Sequence, residues 1–225
     1  MGPEVGDRRD DARAVVLGFR LFHAFLRTSD PGAAYPAGMV RITIVLLAAL
    51  TFSLFGVALR VVFGRSAATP WPTMLMVVVG AAISCLHLHL LWTVPLDPGN
   101  IVTGAGLYLL ACGLFLWTAR SVRGRDFKLA YTSEIPPAVY SGGPYRWLRH
   151  PFYLSYTLAW CAGVTALSDA RLLLTPAIML GFYVAAAWRE ERQMLRGPAA
   201  EQYRVYRRQT GVLLPRWRTP LRQWS

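Results

Sequence analysis

Charge is scarce in this chain of 225 residues: Asp, Glu, Lys and Arg make up 16%, where soluble domains usually carry about 25%. That shortage excludes a large soluble domain. Lysine is nearly absent, Lys128 being the only one among 24 basic residues, and acidic residues number 12. Cysteine is limited to Cys85, Cys112 and Cys161, far apart, odd in number and each in the middle of an apolar run. Neither a disulfide framework nor a metal cluster follows from that pattern, and the three are read as small packing residues. Residues 1 to 11 lack the apolar core and small-residue cleavage site of a signal peptide, so the expectation is a polar, disordered and retained N-terminus.

What is abundant is apolar. Hydrophobic residues make up 54% and the mean hydropathy is +0.34, with several runs long enough to cross a bilayer. The runs lack the strict alternation of barrel strands, and helices satisfy their own backbone hydrogen bonds in lipid, so the expected class is an all-α, polytopic integral membrane protein. A net charge of +12 could suit nucleic acid. The arginines, however, fall between apolar runs, where they face anionic headgroups and fix topology. Membrane lipids are therefore the expected partners, with no nucleic acid.

In chain order, residues 12 to 27 place Val15, Phe19, Phe22 and Leu26 at helical spacing with Arg13, Arg20, His23 and Arg27 elsewhere on the wheel, which predicts an amphipathic helix in the headgroup layer. Apolar runs at 42–59, 73–94 and 101–119 predict three spans, the last two joined by the tight turn Pro95-Leu96-Asp97-Pro98-Gly99-Asn100. Shorter runs at 152–167 and 172–188 predict a second hairpin, for about five transmembrane helices in all. A surface helix is expected over 199–209, with Arg204, Arg207 and Arg208 on one face and Tyr203 and Tyr206 on another. Three regions follow: 1–38, polar with the interfacial helix; 39–119, three spans; and 120–225, a cofactor-binding catalytic region. Most basic residues lie in 60–70, 120–150 and 189–225, and the positive-inside rule puts that side, with the candidate site, in the cytoplasm.

The second hairpin makes a prediction about chemistry. If 152–167 leaves one membrane face and 172–188 returns to it, Arg149-His150 and Arg189-Glu190-Glu191 meet. Neither Glu190 nor Glu191 has a basic partner at intrahelical spacing, so each needs one elsewhere, and Arg149, His150 or a ligand are the candidates. Adjacent helix positions point about 100° apart, so one of the two glutamates is expected to face the pocket. Elsewhere, His87 and His89 lie two apart in one span and point to different faces, so no metal is expected. Asp97 and Asp169 are read as turn residues, and Tyr108, Trp92 and Trp117 as interfacial or packing aromatics.

The order Gly143-Pro144-Tyr145-x-x-x-Arg149-His150-Pro151-x-Tyr153, then Arg189-Glu190-Glu191, then Tyr203-x-x-Tyr206 and Leu213-Leu214-Pro215, resembles the C-terminal half of the isoprenylcysteine carboxyl methyltransferase family and its relatives, the phospholipid N-methyltransferases. The resemblance covers about residues 139 to 216. Ser155 stands where many relatives have Gly, and Gly197-Pro198 where many have Phe-Gly. The resemblance implies S-adenosylmethionine held at the cytoplasmic membrane surface, with Gly143, Pro144, Tyr145, Arg149, His150, Pro151, Tyr153, Arg189, Glu190, Glu191 and Tyr203 as binding residues. Arg149, His150, Glu190 and Glu191 are the implied catalytic residues. Membrane sterol reductases have a similar Arg-His-Pro segment and bind NADPH, but usually show Arg-Asp where this chain has Arg189-Glu190-Glu191, which favours the methyl donor.

Arginine suits the donor's carboxylate, a carboxylate its ammonium or ribose diol, and Tyr or Trp its adenine. The implied acceptor is lipophilic: a prenylated cysteine, a phospholipid amine, an isoprenoid acid or a small thiol. A carboxylate acceptor needs alignment and exclusion of water but no base. An amine or alcohol needs one, and His150 or a glutamate would serve. A non-catalytic membrane protein, with its arginines serving topology alone, is the alternative from another class.

Overall fold

The computed structural model describes residues 37–61, 71–123, 138–167 and 169–216. The chain divides into two compact units, 1–40 and 41–225. Only residues 37–40 of the first are described, and the predicted amphipathic helix at 12–27 lies outside the described residues. All regular structure described is helical: α1 (Ala37–Val61), α2 (Trp71–Thr93), α3 (Ile101–Ser121), a 3-10 turn (Gly143–Arg146), α4 (Pro151–Leu167), a second 3-10 turn (Ala170–Leu173), α5 (Leu174–Met194) and α6 (Ala200–Gln209).

Three segments are long and apolar enough to cross a membrane: Gly38–Val57, Trp71–Thr93 and Ile101–Ser121. They carry many outward-facing apolar side chains, Leu46, Leu50, Val57, Val78, Leu86 and Leu109 among them. Such faces are costly in water and suited to lipid. α4 has 17 residues, and α5 is apolar until Arg189-Glu190-Glu191-Arg192 closes it.

Local signals account for the breaks. Pro72 and Pro151 sit in first turns, where the missing N–H leaves nothing unpaired. Between α2 and α3, Asp97 accepts from the Gly99 amide at 2.9 Å and from the Asn100 side chain at 3.0 Å. Its own amide donates to the Ala166 carbonyl at 3.0 Å, which clips this turn to the end of α4. Arg41, near the start of α1, donates to the carbonyls of Trp92 and Val94 at the end of α2.

α3 and α4 pack antiparallel and very close. A Cβ built on Gly104 would lie 2.8 Å from Ala166 Cβ and 2.9 Å from the Ala162 carbonyl oxygen. Gly104 is not part of a four-residue glycine repeat, but the small residues that let it close are on the partner helix: Ala159, Ala162 and Ala166, all fully buried. This contact sets the end of α4 against the start of α3, and the antiparallel pair then brings the start of α4 beside the end of α3, where Phe152 meets Phe115.

The packing also buries a polar pair. His87 Nε2 and the Tyr108 hydroxyl are 3.0 Å apart, both almost wholly buried, with Phe52 and Trp160 edge-on to the imidazole. A Cβ on Gly163 would overlap that ring. Tyr108 is thus a hydrogen-bonded partner rather than plain packing, whereas His89, two residues on, is exposed.

Candidate functional site

The segment preceding α4 is shaped by backbone. Gly143 has φ +53°, a left-handed conformation that glycine adopts without the Cβ penalty, and a Cβ there would meet Ser121 Cβ at 2.6 Å. The 3-10 turn that follows closes when the Trp147 and Leu148 amides both donate to the Pro144 carbonyl, at 3.1 Å each. Residues 147–150 then run alongside the tail. The Arg149 amide donates to the Gly211 carbonyl at 2.8 Å, the Gly211 amide to the Trp147 carbonyl at 3.0 Å and the His150 amide to the Val212 carbonyl at 3.2 Å. From α6, the buried Tyr206 hydroxyl donates to the carbonyls of Tyr145 at 2.8 Å and Leu148 at 3.2 Å. The tail therefore holds the 145–150 segment in place.

Pro151 opens α4, and α5 returns antiparallel beside it, so Arg149-His150 meets Glu190-Glu191. Arg149 Nε lies 2.9 Å from Glu191 Oε1. Its N–H is not aligned on that oxygen, and Nε has no hydrogen-bond partner, so the contact is an ion pair rather than a directed bond. Arg149 Nη1 donates to the Arg207 carbonyl at 2.9 Å and to the Thr210 carbonyl at 3.4 Å. These are carbonyls at the C-terminus of α6, where a cation complements the helix dipole.

His150 lies between both glutamates: Nδ1 is 3.4 Å from Glu190 Oε2 and Nε2 is 3.3 Å from Glu191 Oε1. Both carboxylates thus meet one ring, Glu191 buried and Glu190 with a third of its side chain open. The carboxylates do diverge, but the two nitrogens of one imidazole diverge as well, so a single ring meets both. Burial lowers the basicity of His150, but hydrogen bonds and charge from Glu190 and Glu191 outweigh it and raise its pKa above the ordinary 6.5. Burial likewise opposes the charge of Glu191, yet its hydrogen bond to His150 and the positive charge of Arg149, His150 and Arg207 hold its pKa below the ordinary value.

Tyr153 donates to Glu190 Oε1 at 2.6 Å. Its ring stacks between His150, centroids 5.5 Å apart, and Tyr183, 5.4 Å apart. The Tyr183 hydroxyl in turn accepts from Trp160 Nε1 at 3.1 Å. One polar and aromatic series thus runs from the glutamates into the apolar interior.

Of the remaining residues predicted from sequence, Pro144, Tyr145 and Tyr203 are buried and Arg189 is exposed. Burial, then the negative charge of Glu191, pushes the Tyr203 phenol well above its ordinary pKa. Three residues now at the site had no assigned role there. Arg207, grouped with the surface arginines, has Nε 3.5 Å from Glu191 Oε2. Tyr183 was one aromatic in an apolar run. Gly211 pairs through its backbone, which leaves no signature in residue type beyond the absence of a side chain.

No family model matches the chain. A methanethiol S-methyltransferase of Mycobacterium tuberculosis is 39% identical over 71 residues, which is 32% of this chain and 28% of that protein. The matched part therefore spans little more than a quarter of that relative. With the three apolar helices, this partial likeness supports a membrane methyltransferase at the coarsest level.

Proposed function

We propose that the chain is an integral membrane methyltransferase that uses S-adenosylmethionine and acts on a lipophilic acceptor at the cytoplasmic membrane surface. The observation that carries this reading is the His150 imidazole set between Glu190 and Glu191, in the segment where the resembling families bind the methyl donor. The partial likeness to a methyltransferase adds support. Five spans are part of the proposal: α4 and α5 form the second hairpin, and the arginine bias then puts the site end in the cytoplasm.

The side chains present fit the donor's chemistry. Glu190 keeps 34% of its side chain exposed and offers a carboxylate to an ammonium or a ribose diol. When bound, S-adenosylmethionine supplies an electrophilic methyl group carried on a sulfonium. Arg149 and Glu191, buried and ion-paired, fix the segment that carries His150. His150 favours its charged form between the carboxylates, so it orients and neutralises them rather than accepting a proton. A carboxylate acceptor would need only alignment and a dry site.

A second reading concerns the nucleophile. The relative is named for methylating methanethiol, which favours a thiol over the carboxylate implied by the isoprenylcysteine resemblance.

The full chain, purified in detergent, should bind S-adenosylhomocysteine and not NADPH. NADPH binding without S-adenosylhomocysteine binding would move the assignment to the reductases, and binding of neither would favour a non-catalytic protein. Incubation of labelled donor with an alkanethiol, a prenylated cysteine and a lipid extract then identifies the acceptor by which product gains label.

A further inference from the structure

The site contains two arginines in different situations. Arg149 has 8% of its side chain exposed, its Nε sits against Glu191, and its Nη1 is held by two α6 carbonyls. It is built into the protein. Arg207, one position on from the buried Tyr206, has its Nε 3.5 Å from Glu191 Oε2 and half of its side chain exposed. Among the described residues, its two Nη groups meet no hydrogen-bonding partner. Its backbone is fixed all the same, because its carbonyl accepts from Arg149 and its helix is anchored through Tyr206 and Thr210.

Across the buried His150–Glu191 pair stands Glu190. Its inner contacts are the Tyr153 hydroxyl and His150 Nδ1, and a third of its side chain is open. The buried His150–Glu191 pair therefore carries one half-exposed cation, Arg207, on Glu191 and one partly exposed anion, Glu190, on His150. An α-amino carboxylate has the reverse pair of charges a few bonds apart. A guanidinium is suited to a carboxylate because its planar fork presents parallel N–H donors.

We infer that Arg207, not Arg149, receives the carboxylate of an α-amino acid group, with Glu190 receiving its ammonium, and that this pair is the subsite for the amino-acid end of the methyl donor. The inference rests on the methyl-donor reading and assigns to Arg207 a role that neither motif nor comparison gives it. Glu191 orients Arg207 from below while remaining paired with Arg149 and His150. The α6 helix thus supplies both the clamp on the 145–150 segment and one of the ligand's two ionic contacts.

The test uses the full chain in lipid nanodiscs and two probes, S-adenosylhomocysteine and its decarboxylated analogue, which keeps amine, ribose and adenine. Arg207→Gln is expected to weaken S-adenosylhomocysteine binding about 10- to 100-fold, the range of one lost charge-assisted hydrogen-bonding contact, and to leave the analogue's affinity unchanged. Arg207→Lys should recover part of the loss. Equal weakening of both probes would mean that Arg207 acts only through Glu191, and no weakening of either would mean that it contacts nothing; each overturns the inference while the methyl-donor reading stands. If the unaltered protein bound neither probe, the methyl-donor reading and the inference would fall together.

Discussion

Arg149 Nε lies 2.9 Å from Glu191 Oε1, with 8% and 9% of the two side chains exposed. Two charges withdrawn from water at that distance depend on each other, because either one alone would be buried and uncompensated. Arg149→Ala also releases the two α6 carbonyls that its Nη1 holds. The expected cost is about 3 kcal/mol or more, read as a lower melting temperature in detergent. Replacing both residues with Met should cost less than the sum of the single changes. Additive losses in that double-mutant cycle would show that the pair is not coupled.

The coupling between His150 and the glutamates predicts a pH dependence. His150 has a folded-state pKa raised above 6.5, so its contribution is complete below about pH 6.5 and is lost as the pH rises through the folded value. Glu191 is depressed below 4.5, so its contribution is present above about pH 4.5 and is lost as the pH falls through the folded value. The difference in melting temperature between the unaltered protein and His150→Gln should therefore be largest in that interval and shrink toward alkaline pH. A difference that stays constant across the alkaline range would rule out the charged imidazole.

How much of this was legible in the sequence differs by residue. The helices α1 to α3 were readable because lipid demands long apolar runs, and the runs end at Pro, Gly and Arg. The meeting of Arg149-His150 with Glu190-Glu191 followed from a short hairpin, since its two ends must share a side. That both glutamates touch one ring was not readable: helix geometry separates them, and only the placement of His150 shows that its two nitrogens span the gap. Arg207 was hidden among Arg204 and Arg208, which share its residue type but not its orientation. His87 and Tyr108 sit in apolar runs where no polar periodicity marks them, and the cleft that admits His87 is made by Gly163, far away in the chain.

Tyr206 ties α6 to the segment before α4 through one hydroxyl shared between the carbonyls of Tyr145 and Leu148. Tyr206→Phe keeps the ring and removes that donor from both carbonyls. A buried hydrogen bond of this kind is worth about 1 kcal/mol. The expected result is faster amide hydrogen exchange at Arg149 and His150, which pair with Gly211 and Val212. The amides at the start of α3, which packs on the far end of α4 at Ala162 and Ala166, should change little. Uniform acceleration throughout would indicate global destabilisation and not a local clamp.

Gly163 offers a test in the interior. A Cβ there would overlap the His87 imidazole, which is held on its other sides by Tyr108, Phe52 and Trp160. The ring has no room to retreat without breaking its hydrogen bond to Tyr108 or displacing Trp160 from Tyr183. Overpacking of this kind typically costs about 1 to 3 kcal/mol, so Gly163→Ala should lower the melting temperature clearly. His87→Ala alone should also destabilise, by leaving a cavity and an unpaired Tyr108 hydroxyl. Combined, the two changes should be far less harmful than their sum, since the added methyl enters the space the imidazole vacates. Strict additivity would mean that the two residues do not touch, and the close packing of α2 on α4 would have to be redrawn.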